Sequence, residues 1–394
     1  MEPGKPKLAG LRRIGNVCLL RVRRVCKKDG SRILYLADFF DFLPILSSLG
    51  DSLARYLVTG AAGFIGRSIA SALLKRGDTV RGIDNFITGK RANLAGLEAM
   101  EFLEGDLADP AACAQACDGV EIVFHEAALA SVPRSVADPV STNIACVDAS
   151  LNLLVAARAA GVRRVIYAGS SSAYGDTPTL PKREDMLPNP ISPYAVAKLA
   201  SELYMVSFYR CYGLETVCLR YFNIFGPRQD PSSPYSGVLA KFSLQMLRDE
   251  QPTIFGDGET SRDFTYIDNA VSANLLACSA PAGDCAGRVF NCATGRRITL
   301  NETFKALQHL TGYKGGIKYS PERSGDIKHS LADISQAQQH LGYKVLVNFE
   351  DGLRRTVEWY KTQDKASQNQ DPQKQASQNE GPEKQDQPVG VARR

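Results

Sequence analysis

Three glycines, Gly60, Gly63 and Gly66, stand three apart in VTGAAGFIG, directly after the strand-like run RYLVT and at the opening of a helix-like segment. That placement constrains the chain more than any other feature. Glycine there permits a tight turn, lets backbone approach a pyrophosphate and lets the helix pack close to the sheet, while the helix N-terminus stabilises the anion. The run predicts a strand–turn–helix unit that opens a nucleotide-binding sheet. Phe64 and Ile65 join the glycines as candidate cofactor contacts.

From residue 55 the pattern stays regular. Strand-like runs at RYLVTG, TVRGID, EFLEGD, EIVFHEA, RVIYAGS and ETVCLRYF alternate with helix-like segments from Phe64 to Arg76, Asn143 to Ala160 and Pro193 to Tyr212. Such alternation predicts an α/β fold, a Rossmann-type doubly wound parallel sheet with a smaller C-terminal substrate lobe. Residues 53–222 form the expected cofactor domain and residues 223–361 mainly the substrate lobe, with Trp359 and Tyr360 expected to end the fold. Asp84 ends the second strand, where a carboxylate can bind the adenosine ribose hydroxyls, and Asn85 follows it. That carboxylate would repel a 2′-phosphate, so NAD is expected rather than NADP. Asp106 and Leu107 are placed to flank the adenine, and the small Ala127 and Ala128 in HEAALASVPRS let the cofactor pass. Ser131 in the same segment is a candidate substrate contact; His125 reads as structural.

The electrostatics point away from nucleic acid. Net charge is +5, but residues 1–28 hold nine Lys and Arg against one Glu, which leaves the remainder at −3. Ten cysteines without CxxC pairs and four histidines offer no zinc spacing and no disulfide framework, and free thiols suit a reducing cytoplasm. Cys113 and Cys117 are expected as small core or surface residues. The apolar stretch 33–49 carries Asp38, Asp41 and Pro44, so no stable membrane insertion is expected, and residues 1–52 read as an extension of unknown role. Residues 362–394, with the repeat ASQNQDPQKQ then ASQNEGPEKQ, are expected to be disordered.

In SPYAVAK, Tyr194 and Lys198 lie four apart and would share one helix face. An ammonium beside a phenol favours the phenolate, which could abstract a proton from an alcohol. A hydroxyl from SSSAYG, at the end of the fifth strand, would complete an alcohol-oxidising triad. With TGAAGFIG, HEAA, SSSAYG, SPYAVAK and YFNIFGPRQ in order, the chain from about residue 55 to residue 360 resembles an extended short-chain dehydrogenase/reductase. Within that superfamily it is most similar to UDP-hexose 4-epimerases, particularly those acting on UDP-N-acetylglucosamine.

The resemblance implies that hydride passes from sugar C4 to NAD and back to the opposite face, while Tyr194 carries the hydroxyl proton. It implies Ser170 as the catalytic hydroxyl, with Ser172 the alternative, and a homodimer. It places Phe222 by the nicotinamide, Asn223, Arg262 and Arg323 on the substrate diphosphate, and Asp326 on the uridine ribose. In the resembled enzymes the position seven residues after the RSGD arginine lies beside the sugar's C2 substituent and is a tyrosine in members confined to UDP-glucose. Here it is Ser330, and Ser171 stands where plain-hexose enzymes tend to carry alanine. Sugar-nucleotide 4,6-dehydratases carry an Asp-Glu pair, and decarboxylases favour a glutamate, where this chain has Ser171 and Ser172. An idle NAD-binding sensor would be expected to carry damage at Tyr194, Lys198 or the strand-end serine, and this chain has none.

Overall fold

The structure, a computed structural model, describes residues 55–231, 237–322 and 327–369, with side chains to residue 364, and the backbone of residues 13, 14, 17 and 18. Contacts divide the chain into Met1–Gly50 and Asp51–Arg394. In the first unit Arg13–Ile14 pairs antiparallel with Val17–Cys18. The apolar stretch 33–49 lies outside the described residues.

Seven strands build the central sheet of the second unit: β1 (Arg55–Thr59), β2 (Thr79–Asp84), β3 (Glu101–Glu104), β4 (Ile122–His125), β5 (Arg164–Ser170), β6 (Glu215–Tyr221) and β7 (Arg288–Cys292). They pair in the order β7-β6-β5-β4-β1-β2-β3, every neighbour parallel. A parallel sheet with both faces covered needs apolar side chains on both sides of its strands. Val165, Ile166 and Tyr167 of β5 are accordingly all buried. Helices α1 (Phe64–Lys75), α2 (Pro110–Cys117), α3 (Pro139–Ala159), α4 (Pro193–Tyr212) and α5 (Ile267–Ser279) cover it. Ile69 and Leu73 of α1 share one core cluster with Ala270 and Ala273 of α5. Cys113 of α2, Leu153 of α3 and Met205 of α4 share another on the opposite face. The strand order reverses between β1 and β4, which opens a crevice at the carboxyl ends of the strands.

Local signals set the ends of α4. Ser192 accepts the Ala195 N–H at 3.2 Å, Pro193 opens the first turn, and Gly213 closes the helix at φ 74°. Helix α3 starts four residues before the expected Asn143 because Asp138 caps it ahead of Pro139. It is the one described helix long and apolar enough to cross a membrane, with 44% of that window buried.

The expected boundary after residue 222 needs correction. Helix α5 packs on the sheet and β7 pairs with β6 from Arg288↔Val217 to Cys292↔Tyr221, so residues 267–292 return to the cofactor domain. The rest of the lobe has its own core, in which Phe225, Phe264 and Tyr266 meet Phe349, Leu353 and Val357. The last helix, α6 (Phe349–Asn369), runs past the expected end at residue 360. Its extra turns are anchored by Lys361 donating to the Leu310 carbonyl at 2.7 Å and by Arg248 pairing with Asp364 at 3.1 Å. Residues 362–369 are thus helical, and residues 370–394 lie outside the described residues.

Candidate functional site

The glycine loop is closed on itself. Gly60 has φ +64°, and a Cβ there would lie 2.9 Å from the Ala127 nitrogen; on Gly66 it would lie 2.3 Å from the Gly60 carbonyl oxygen. Helix α1 follows Gly63 with neither a side-chain cap nor an acidic residue in its first turn, unlike α2 and α4, which Asp109 and Ser192 cap. Its open N–H groups and positive dipole end suit a phosphate. Asp84 accepts the Ala62 N–H at 2.9 Å and the Phe86 N–H at 2.8 Å, which ties the strand end to the loop. Burial raises its pKa, and these N–H groups act in the opposite direction. Asn85 donates to Asp106 at 3.0 Å across the mouth.

Gly60, Gly63, Phe64, Ile65, Gly66, Asp84, Asn85, Asp106, Leu107, Ala127 and Ala128 all line one cavity of about 320 Å³. Backbone exposed by glycine, an uncapped helix terminus and a carboxylate at the second strand fit a dinucleotide. Gly66→Ala is expected to cost about 1–3 kcal/mol, because the methyl group meets backbone rather than a movable side chain. Thermal unfolding and the NAD content of the purified protein should both fall, and an unchanged NAD content would detach the loop from the cofactor.

His125 is wholly buried and holds the end of β4. Its Nδ1 lies 2.9 Å from Thr59 Oγ1 and its Nε2 2.9 Å from Ser150 Oγ, while Thr59 Oγ1 accepts the Glu126 and Ala127 N–H groups. Burial pushes its pKa down to about 3, so the ring is neutral.

Ser170 ends β5, and Tyr194 and Lys198 lie one helical turn apart at the start of α4. Ser170 accepts from the Ser172 N–H at 3.2 Å and the Ser172 hydroxyl at 2.8 Å, and Ser171 opens the short helical turn that follows. Lys198 is 4% exposed, its Nζ 4.6 Å from the centre of the Tyr167 ring. The sequence predicts that Lys198 lowers the Tyr194 pKa; instead burial pushes the phenol up to about 12, with the Ser170 hydroxyl acting the other way. Desolvation of the phenolate governs Tyr194, and burial likewise lowers the pKa of Lys198. Behind them Arg220 holds Glu202 in a buried bidentate pair at 2.9 and 2.7 Å.

A second cavity of about 270 Å³ is lined by Asn223, Arg262, Phe225 and Phe264 and shares Ile224 and Gln229 with the first. Asn223, at φ 37°, donates to the Asp263 carbonyl at 3.2 Å, and Arg262 donates to the Ser261 and Lys328 carbonyls. Ser330 is buried nearby, its N–H on the Ser261 carbonyl at 3.1 Å. The triad, Ser131, Ser171, Ser172, Phe222 and Ser330 are absent from both cavity walls. Phe222, expected by the nicotinamide, is fully buried 6.1 Å from the Tyr174 ring, and the Ser131 hydroxyl caps a short helix through the Arg134 N–H. Arg323 and Asp326 lie outside the described residues. Sequence reasoning missed Glu126 and Gln229, which line the cofactor cavity. Glu126 was legible as the acid within HEAA; Gln229 carries no comparable signal.

Residues 56–293 match the NAD dependent epimerase/dehydratase family. A UDP-glucose 4-epimerase of Mycolicibacterium smegmatis is 37% identical over 316 residues, 79% of this chain and 100% of that protein. Among solved structures, the UDP-glucose 4-epimerase of Thermotoga maritima, with UDP-glucose, is 40% identical at TM-score 0.75 and covers 78% of this chain and 99% of its own. The UDP-N-acetylglucosamine 4-epimerase of Methanobrevibacter ruminantium, in complex with UDP-N-acetylmuramic acid, is 43% identical at TM-score 0.74 and covers 79% and 99%.

Proposed function

Because the chain belongs to the NAD dependent epimerase/dehydratase family, we propose that it inverts C4 of a UDP-sugar, with UDP-N-acetylglucosamine its principal substrate. The observation that carries the reaction is the placement of Ser170 at the carboxyl end of β5 and of Tyr194, with Lys198 one helical turn on, at the start of α4, in the sheet that holds the glycine cradle. NAD, when bound, supplies the hydride acceptor and donor for C4 and a positive charge. Ser170 and Tyr194 hold the 4-hydroxyl, Tyr194 takes and returns its proton, and the Lys198 ammonium favours the phenolate against the burial that opposes it. Asn223 and Arg262 bind the diphosphate in the second cavity.

Preference for the N-acetyl sugar rests on Ser330 and Ser171, small hydroxyl residues at positions where the resembled plain-hexose enzymes carry tyrosine and alanine. The similarity at 43% identity to a UDP-N-acetylglucosamine 4-epimerase supports it. UDP-glucose is the second reading, favoured by relatives at 37% and 40% identity. Purified protein incubated separately with the two sugars should form UDP-N-acetylgalactosamine faster than UDP-galactose; the reverse order would install the second reading. Ser330→Tyr should abolish turnover of the N-acetyl sugar and spare that of UDP-glucose, since a filled pocket discriminates by clash. Equal loss on both sugars would remove Ser330 from the pocket.

A homodimer in the cytoplasm is part of the same proposal. Val140 and Val155 on α3 and Val196 and Leu203 on α4 expose apolar side chains at 67%, 56%, 52% and 60%. These two helices pack together, and a second copy would cover such a face. Sedimentation at the monomer mass would withdraw the dimer.

A further inference from the structure

Asp263 is wholly buried, and among the described residues its partners are hydrogen-bond donors rather than cations. Its Oδ1 accepts the Thr294 N–H at 2.9 Å and the Thr294 hydroxyl at 2.7 Å, and its Oδ2 accepts the Gly295 N–H at 3.0 Å and the Ala332 N–H at 3.2 Å. An ionised carboxylate accepts at both oxygens and donates at neither, so it matches donors on both sides, as an amide cannot. Burial opposes the charge and these donors favour it. What the bonds tie together is the substrate side of the molecule.

Asp263 ends the short strand Ser261–Asp263, which carries Arg262 and pairs antiparallel with Arg297–Thr299. Its backbone carbonyl accepts Asn223 Nδ2 at 3.2 Å. Ala332, held by the carboxylate, belongs to the segment 328–333 that contains Ser330. That segment is laced at both ends. At its start the Ser261 N–H donates to the Lys328 carbonyl at 3.0 Å, the Ser330 N–H donates to the Ser261 carbonyl at 3.1 Å, and the Ser261 hydroxyl lies 2.9 Å from His329 Nδ1. At its end the Lys182 N–H donates to the Leu331 carbonyl at 2.7 Å and the Asp333 N–H donates to the Lys182 carbonyl at 2.9 Å. Lys182 lies on the chain that leaves the Ser171–Tyr174 turn. The Asp263 carboxylate enters between these two sets of bonds, and holds the middle of the segment against the strand that bears Arg262.

We propose that Asp263 is a positioning residue that sets substrate affinity and choice: its carboxylate fixes the register of Ser330 against Arg262 and Asn223, so that the groups for the sugar and for the diphosphate keep one spacing. It rests on the assignment of those three residues to the UDP-sugar. Without the carboxylate the Gly295 and Ala332 N–H groups lose their acceptor, and segment 328–333 is released from the Arg262 strand midway along its length. A substrate that spans both then binds more weakly, and the position that separates the two sugars is loosened with it.

The test measures kcat and KM on UDP-N-acetylglucosamine and on UDP-glucose, affinity for UDP by calorimetry, NAD content and urea midpoint, for wild type, Asp263→Asn, Thr294→Val and Arg262→Gln. Asp263→Asn keeps the shape but turns one acceptor into a donor that meets N–H groups. It should raise KM on the N-acetyl sugar about tenfold, lower the preference for that sugar about threefold to tenfold, and leave the NAD content unchanged. Thr294→Val removes one donor and leaves three, so it should fold and shift KM and preference in the same direction by about twofold to fivefold. If Asp263→Asn does not fold, Thr294→Val decides alone. A residue that only holds the fold would lower the urea midpoint and the active fraction, and with it kcat, while KM and the preference between sugars stay at their wild-type values; that result in a folded variant would overturn the proposal. If Arg262→Gln binds UDP as tightly as the wild type, the assignment of the diphosphate site falls instead.

Discussion

Tyr194→Phe is expected to keep its NAD and lose epimerisation by about a hundred- to ten-thousandfold, the range typical of a general acid–base group. The substitution removes one oxygen and almost no volume from the second position of α4, so the packing of Ala195 and Ala197 into the core is unaffected. What disappears is the phenol oxygen proposed to carry the proton. Burial pushes that phenol up to about 12, so its ionisation depends on the charges around it, and neither Ser170 nor Lys198 can replace its oxygen. The measurement is kcat on the UDP-sugar beside cofactor content by absorbance. Turnover within tenfold of wild type, with NAD still bound, would mean that another group moves the proton.

Arg220→Met is expected to destabilise the fold by about 3–5 kcal/mol, the usual result of removing one member of a buried ion pair. Arg220 and Glu202 are each 3% exposed, joined at 2.9 and 2.7 Å, and the guanidinium carbon stands 4.6 Å from the centre of the Tyr174 ring. Burial disfavours the charge on Arg220, but its bonds to Glu202 more than offset this and raise its pKa. Methionine leaves Glu202 without a partner in the interior, one helical turn beyond Lys198. The double variant Arg220→Met with Glu202→Leu should recover most of the loss, since it removes both charges. Urea denaturation reads both effects. A loss below about 1 kcal/mol for the single variant would place the pair in the class of solvated surface bridges.

Much of the framework was legible because its signals are local. The ends of α4 follow from Ser192, Pro193 and Gly213, all within two residues of the helix boundary, and β1, β4 and β5 announce themselves as apolar runs. The return of β7 was not legible, because it depends on pairing Arg288–Cys292 with residues about seventy positions earlier. The same holds inside the site. Spacing alone puts Tyr194 above Lys198, yet the phenol's pKa is governed by desolvation in the folded chain, which no spacing reveals. The hydrogen bond from Tyr221 to Glu126 joins residues 95 positions apart, so the sequence does not reveal it.

The proposed reaction requires that the substrate's own hydride leave C4 and return to its other face. UDP-N-acetylglucosamine carrying deuterium at C4 tests it most directly, with the product isolated and its label located by NMR. Full retention of deuterium at C4 of UDP-N-acetylgalactosamine, with no net change in NAD, is the predicted result. Epimerised product that has exchanged its C4 label for solvent hydrogen would contradict the account.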